Sequence, residues 1–100
     1  MSGGNHVYVM NVTGSDIYKI GITNNPETRR RALQTANSSR LSIWGSWEFS
    51  NRKLCETLES QLHYELDANR CMGEWFRLSD ANTRHVISVL DAAIFLHEMN

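Results

Sequence analysis

The chain has 100 residues, of which 41% are hydrophobic and 21% charged, and its formal net charge is −1 with the histidines neutral. This length fits one small domain with one modest core, which we place at residues 6–100. The near-neutral charge argues against a protein that coats nucleic acid through bulk positive charge, but it is compatible with a local basic patch. No apolar run approaches the roughly 20 residues that a membrane helix needs, so no membrane partner is expected.

The first five residues and the two cysteines indicate where the chain is expected to act. Residues 1–5, MSGGN, are polar and lack the charged and apolar regions of a signal peptide, so we expect a flexible lead. Cys55 and Cys71 have no CxxC spacing, which favours reduced thiols in a cytoplasmic compartment.

The first half of the chain predicts a hairpin, a helix and a strand. Residues 6–12 and 17–22 are strand-like and are separated by TGSD, which predicts a β-hairpin. Asn25 as N-cap and Pro26 at the first helical position predict a helix of about ten residues. Residues 41–49 alternate and predict a strand with one buried face, which would carry Leu41, Ile43, Trp47 and Phe49.

The second half predicts two further helices around a short strand. Ser50 is expected to cap a helix with an apolar stripe, and EWFRL at 74–78 is expected to form a strand. Ser79 or Asp80 would cap the final helix. The predicted order, ββα, β, α, β, α, indicates an α+β fold in which helices pack on a small antiparallel sheet.

The hairpin contains two residues that weaken strands, in the segment YKIGIT at 18–23. A four-residue loop places Met10 opposite Lys19 and Tyr8 opposite Gly21, because side chains alternate with a period of two. Tyr8 and Lys19 are then diagonal neighbours on one face, within reach of long side chains. Gly21 would leave room for the phenol of Tyr8.

The first predicted helix carries three consecutive arginines at 29–31. Arg29 lies one turn before Ala32 and Leu33, so we expect it to point toward the sheet. A planar cation there suggests an anionic partner such as phosphate. An internal ion pair from Arg29 to Glu27 or Glu59 remains the alternative.

The remaining arginines of this region are candidates for contacts with the backbone of a nucleic acid. Arg30 and Arg31 are expected to point away from the sheet, and Arg40 follows the same helix. They would form either a track for phosphates or a solvated face.

The second predicted helix carries a candidate metal ligand. Glu59 lies at the border of the leucine stripe, where a carboxylate half-way between core and solvent suits a metal ion. His63, one turn later, is either a member of the site or a helix-surface residue. Cys55, His63 and Cys71 lack the paired spacing of a zinc site.

Four elements of the predicted fold thus contribute Tyr8, Lys19, Arg29 and Glu59. Tyrosine or lysine can move a proton, arginine can hold a phosphate, and glutamate can hold Mg²⁺ or Mn²⁺. Together these groups are suited to phosphodiester hydrolysis.

The same residues lie in segments that resemble the GIY-YIG nuclease superfamily, over about residues 6 to 78. The resemblance is closest to the phage-associated branch with a KIG second motif and an E-x-x-x-H…GEWF tail. It implies a compact three-stranded antiparallel sheet flanked by helices and an endonuclease that cuts DNA with a single divalent metal ion. The matching segments are VYVM (7–10), YKIGIT (18–23), Arg29, LESQLH (58–63) and GEWF (73–76).

Three positions match the superfamily motifs directly. Tyr8 matches the tyrosine of the first motif, Arg29 the family arginine, and Glu59 the glutamate that binds the metal. His63 resembles a feature of the particular branch.

The first motif reads HVY (6–8) instead of GIY, and two further positions depart from the superfamily. Lys19 stands in the place of the second tyrosine, and Leu33 stands where many members have a histidine. The resemblance therefore leaves Lys19 or Tyr8 to activate water, and the identity of the general base stays open.

Two functions from different classes follow. The first is a divalent-metal-dependent DNA endonuclease, acting in the cytoplasm of a bacterial or phage-infected host cell. The alternative is a catalytically weak or inactive DNA-binding or anti-defence module on the same fold, which the weak net charge favours. A homodimer or an additional DNA-binding partner would offset poor DNA binding by a single copy.

Overall fold

A computed structural model describes residues 4–99 and confirms the α+β class. The elements are β1 (Asn5–Val12), β2 (Ile17–Thr23), α1 (Pro26–Thr35), β3 (Leu41–Phe49), α2 (Arg52–Glu65), β4 (Arg70–Met72), β5 (Trp75–Arg77) and α3 (Asp80–Glu98). A 3-10 turn, Asp67–Asn69, precedes β4. The strands are all antiparallel and form one sheet in the order β3-β1-β2-β5-β4.

The sheet has five strands where about three were expected. β3, β1 and β2 form its larger part, and two short strands extend it beyond β2: β5, which matches the strand expected at 74–78, and β4, which was not expected. β5 pairs with β2 only from Ile17 to Lys19. The outer edge of β2 is therefore free of a strand partner beyond Lys19, and this open edge matters for the site.

β1 begins at Asn5, the last residue of the expected lead, and Asn5 pairs with Phe49 of β3. Residues 1–3 of that lead lie outside the described residues.

Three helix caps were predicted, and one was wrong. The Asn25 side chain accepts from the backbone N–H of Thr28 at 3.0 Å, as predicted for α1. α2 is capped by Asn51, whereas Ser50 bonds through its backbone N–H and hydroxyl to the Glu98 carboxylate. Ser79 caps α3, one of the two residues considered.

The predicted hairpin register is confirmed, with Met10 opposite Lys19 and Tyr8 opposite Gly21. Local loop length therefore sets this register, and it places these four side-chain positions on one face of the sheet.

The prediction of one buried face for β3 is wrong. The β1–β3 register shifts between Val9 and Met10, which pair with Gly45 and Ile43 respectively. A bulge of this kind inserts one residue and reverses the alternation beyond it. Leu41 consequently packs with the small cluster on one face, while Phe49 belongs to the large core on the other.

The two faces of the sheet are covered unequally. The large core holds buried residues of α2 and α3. On the opposite face, Tyr8, Met10 and Leu41 form the small cluster, against which Leu33 of α1 packs. α1 has no fully buried residue, so the face that carries Tyr8 and Lys19 is only lightly covered. Within residues 4–99, no helix is long and apolar enough to cross a membrane.

Candidate active site

Tyr8 is the most deeply placed of the predicted site residues. It is 1% exposed, and the backbone of Gly21 lies directly beside its phenol. A Cβ atom at Gly21 would lie 2.7 Å from the Tyr8 hydroxyl oxygen and 2.8 Å from Cζ. Glycine is thus required here for close approach, as the register predicted.

Lys19 is buried on the same face, at 6% exposure, and is paired with a residue that sequence reasoning did not single out. Its Nζ donates to Oε1 of Glu74 at 2.7 Å, and it lies 5.7 Å from the centroid of the Trp75 ring. The ion pair joins β2 to the residue before β5. The partner of the Lys19 side chain is therefore the Glu74 carboxylate.

The sequence signal for Glu74 is its place in the GEWF segment at 73–76. That segment alone does not reveal that Glu74 pairs with Lys19. Its contact with Lys19 depends on the pairing of β5 with β2, which also lets the Ile20 N–H donate to the Glu74 carbonyl at 3.2 Å. The two residues are 55 positions apart in the chain.

Arg29 is exposed on α1 but acts on the buried phenol of Tyr8. Burial raises the pKa of Tyr8, and the Arg29 guanidinium opposes that rise. Within residues 4–99 it forms no ion pair with Glu27 or Glu59, the two alternatives considered.

The pKa of Tyr8 is nevertheless raised above its ordinary value. Burial is the largest cause, Arg29 opposes it, and the carboxylates of Glu74 and Glu59 raise it further. Burial disfavours the phenolate, and two nearby negative charges do the same. The pKa of this one phenol therefore depends on charged groups from α1, from α2 and from the residue before β5.

Glu59 lies half-buried at the border of α2, and its pKa is also raised. Burial is the main cause and the Glu74 carboxylate adds to it, whereas His63 and Lys19 lower the pKa. Among the described residues, Glu59 has no hydrogen bond or ion pair. An unpartnered carboxylate in a partly dry, negatively charged place suits a hard divalent cation, which a single carboxylate can hold together with water and phosphate oxygens.

His63 links α2 to the open edge of β2. Its Nε2 donates to the carbonyl oxygen of Ile20 at 2.8 Å, and its ring centroid lies 5.1 Å from that of Phe76. The Ile20 carbonyl follows the last β2–β5 contact, so His63 satisfies an acceptor that has no strand partner. This contact fixes α2, and with it Glu59, against the sheet.

The three arginines predicted to contact a nucleic acid do not form one free track. Arg30 and Arg31 both donate to the Glu27 carboxylate, while Arg40 lies at the start of β3 near Arg30.

The two cysteines lie in different environments. Cys55 is buried in the large core and Cys71 is exposed, and both are free thiols. No group of three or more His, Cys, Asp or Glu side chains in residues 4–99 is arranged to hold a metal ion.

Comparisons with known proteins place the chain in a family. No curated protein and no solved structure matches it. The family model described as the T5orf172 domain matches residues 5–92, which include every element that contributes to the site. The chain therefore belongs to the T5orf172 domain family, a family of nuclease-related domains.

Proposed function

We propose that the protein is a divalent-metal-dependent endonuclease of the GIY-YIG superfamily that hydrolyses phosphodiester bonds of DNA. The observation that carries this proposal is the electrostatic coupling of side chains from separate elements. Arg29, Glu59 and Glu74 act on the pKa of Tyr8, Glu74 and Lys19 act on that of Glu59, and Lys19 forms an ion pair with Glu74.

Glu59 would hold the metal, Mg²⁺ or Mn²⁺. When bound, such a cation supplies Lewis-acid stabilisation of phosphoryl and leaving-group oxygens. The raised pKa of Glu59 supports this role, because a cation beside the carboxylate would relieve the repulsion that Glu74 exerts on it.

Arg29 would bind the scissile phosphate. Its guanidinium is free of carboxylate partners in the described part of the chain and lies close enough to act on Tyr8. A fixed planar cation can neutralise the charge that develops on the phosphoryl group.

Tyr8 is the better candidate for the general base. Lys19 Nζ donates to the Glu74 carboxylate at 2.7 Å, and the ammonium of a lysine donates hydrogen bonds but cannot accept a proton. The Tyr8 phenolate would be stabilised by Arg29, whose influence lowers the pKa of the phenol. Since burial holds that pKa above its ordinary value, cleavage is expected to become faster as pH rises from neutral. Lys19 would instead contribute positive charge near the phosphate.

A plasmid assay tests the proposal. Supercoiled DNA is incubated with the wild type, with Glu59→Gln and with Glu56→Gln, in Mg²⁺, in Mn²⁺ and in EDTA. Glu56 is a matched control because it lies on the same helix, is exposed and forms an ion pair with Arg52. We expect metal-dependent cutting by the wild type and Glu56→Gln and none by Glu59→Gln. Cutting by Glu59→Gln at the wild-type rate would refute the mechanism.

Metal binding can be tested without catalysis. A cation that binds only the folded protein raises its melting temperature. Mn²⁺ should raise the melting temperature of the wild type and of Glu56→Gln, and it should leave that of Glu59→Gln unchanged.

The second candidate is a DNA-binding or anti-defence module with little or no turnover. Two observations favour it: Glu27 neutralises two of the arginines, and residues 4–99 contain no metal site of three ligands. DNA that is retarded on a gel but remains uncut in every metal would select this function.

One copy of the protein presents one proposed cleavage site, so cutting both strands of DNA requires successive nicks, a homodimer or an additional DNA-binding partner.

The free thiols of Cys55 and Cys71 support action in a reducing, cytoplasm-like compartment such as that of a bacterial or phage-infected cell.

A further inference from the structure

We propose that a cleft between α1 and the start of β3 binds a second backbone phosphate of the DNA, and that the Glu27 carboxylate occupies the place of that phosphate when DNA is absent. The proposal rests on the proposed function only in taking DNA as the ligand. It does not depend on cleavage.

The cleft has a volume of about 280 Å³ and is open to solvent. Two of the arginines predicted to contact a nucleic acid meet in it, although they come from different elements. Its walls are formed by Glu27, Arg30, Arg40, Leu41, Ser42 and Ile43.

Arg30 already binds an oxyanion in this cleft. Its Nε donates to one oxygen of Glu27 at 3.0 Å and a terminal nitrogen donates to the other at 2.7 Å. The Nε of Arg31 also donates to Glu27, at 3.3 Å. Phosphate accepts the same two-pronged contact from arginine as a carboxylate does, so Glu27 holds Arg30 in a geometry that is ready for phosphate.

The pair is suited to exchange with a ligand. The Glu27 side chain is 45% exposed, and exposed ion pairs are weakly held in water. The hydrogen bond from Arg30 is the main reason that the pKa of Glu27 is lowered, so the carboxylate remains charged and repels a phosphate until it is displaced.

Arg40 supplies the second cation, and its backbone is fixed. The side-chain amide of Gln34 donates to the carbonyl of Ser39 at 2.9 Å and accepts from the N–H of Leu41 at 2.8 Å. The Arg40 carbonyl itself accepts from the N–H of Thr13 at 2.9 Å. Among the described residues, the Arg40 guanidinium has no ion-pair partner. A free cation on a fixed backbone is therefore directed at the same cleft as Arg30.

The cleft lies close to the proposed site of cleavage. Ile43 in its wall pairs with Met10, which is two residues from Tyr8 along β1, a distance of about 7 Å. Arg29 and Arg30 are consecutive on α1, and they serve Tyr8 and the cleft respectively. A DNA strand has a phosphate at every nucleotide, so a strand bound at Tyr8 brings a neighbouring phosphate to the cleft.

The experiment measures binding of a fluorescent DNA duplex in EDTA across a series of salt concentrations. Each phosphate contact contributes about 0.9 to the slope of log K against log salt concentration. Arg40→Ala should bind about tenfold more weakly at about 50 mM salt and lower the slope by about one unit. Glu27→Gln should bind more tightly and raise the slope, because it releases Arg30 and removes a competing anion.

Arg84→Ala is the matched control. Arg84 is an exposed arginine of α3, and that helix packs on the opposite face of the sheet. The variant removes the same charge without touching the cleft, so its affinity should stay within about twofold of the wild type. Should Arg40→Ala melt early, Arg40→Gln repeats the measurement with a longer side chain.

Equal effects of Arg40→Ala and Arg84→Ala would overturn the proposal, and so would a Glu27→Gln variant that binds no more tightly than the wild type. Failure of the proposed function would give a different combination of cleavage and binding results. If no metal supports cleavage but the two variants shift the slope in opposite directions, the cleft binds DNA and the enzyme assignment fails.

Discussion

Replacing Gly21 by alanine tests whether the clearing beside Tyr8 is needed for stability and for activity. The new Cβ atom would lie 2.7 Å from the Tyr8 hydroxyl oxygen, whereas ordinary contact begins at 3.4 Å, so the phenol must move by about 0.7 Å (3.4 − 2.7). Because Tyr8 is 1% exposed, it has little room to do so.

The expected magnitudes follow from this overlap. Overpacking a core costs about 1–3 kcal/mol of unfolding free energy, and replacing glycine within a strand returns about 0.5–1 kcal/mol. A net loss of about 1–2 kcal/mol should lower the melting temperature by about 4–8 °C per kcal/mol in a domain of this size. If Tyr8 takes part in cleavage, displacement approaching 1 Å should slow it by up to about 100-fold.

Thermal melts and plasmid cleavage measure the two effects, and Gly45→Ala is the control. A Cβ atom at Gly45 would lie 2.8 Å from the Trp47 ring, an overlap of similar size. That ring belongs to the large core and is tethered to Asp91. Gly45→Ala should therefore melt earlier but cut DNA at the wild-type rate.

A Gly21→Ala protein that melts and cuts like the wild type would refute the reasoning, and equal loss of cleavage by Gly45→Ala would remove the link to the site. In a Tyr8→Leu background, which lacks the crowded phenol, Gly21→Ala should no longer destabilise the fold.

Three further predictions concern the groups around this clearing. Glu74→Gln should lower the unfolding free energy by about 1–2 kcal/mol in urea melts, because it leaves the buried Lys19 ammonium without its charged partner. Lys19→Met in the same chain should recover part of the loss, and no recovery would contradict this. His63→Ala should cost about 1–3 kcal/mol by the same assay, because the Ile20 carbonyl loses its donor; an unchanged midpoint would show that water replaces it. Folding raises the pKa of Glu59. The contribution of this shift to the free energy of unfolding is therefore fully present below about pH 4.5, and it is lost as pH rises through the raised pKa of the folded state. Glu59→Gln should accordingly melt higher than the wild type at pH 7, with the difference vanishing in acid; a lower melting temperature at pH 7 would contradict this sign.

Several features of the site could be predicted because they depend on short stretches of chain. The loop length and the period of two fixed the pairing of Tyr8 with Gly21 and of Met10 with Lys19. The cap at Asn25 and the start of α1 at Pro26 followed from residue type alone. The Glu27 contacts to Arg30 and Arg31 also had a local signal, since residues three and four apart on a helix are neighbours.

Other features could not be predicted because they join distant segments. The bulge opposite Val9 divides the apolar residues of β3 between two faces, and nothing in the alternation of residues 41–49 reveals it. The strand β4, with its three exposed residues, has no apolar pattern.

The sequence by itself determined the α+β class and the hairpin register, because periodicity and turn chemistry are local properties, and it singled out Tyr8, Lys19, Arg29 and Glu59 as candidate site residues. Only the tertiary structure decided what those side chains contact. The pairing of β5 with β2 brings Glu74 into contact with Lys19. Where that pairing ends, the Ile20 carbonyl accepts a hydrogen bond from His63 instead. Which charge meets which is a property of the assembled sheet, since the energy of a buried ion depends on every group packed around it.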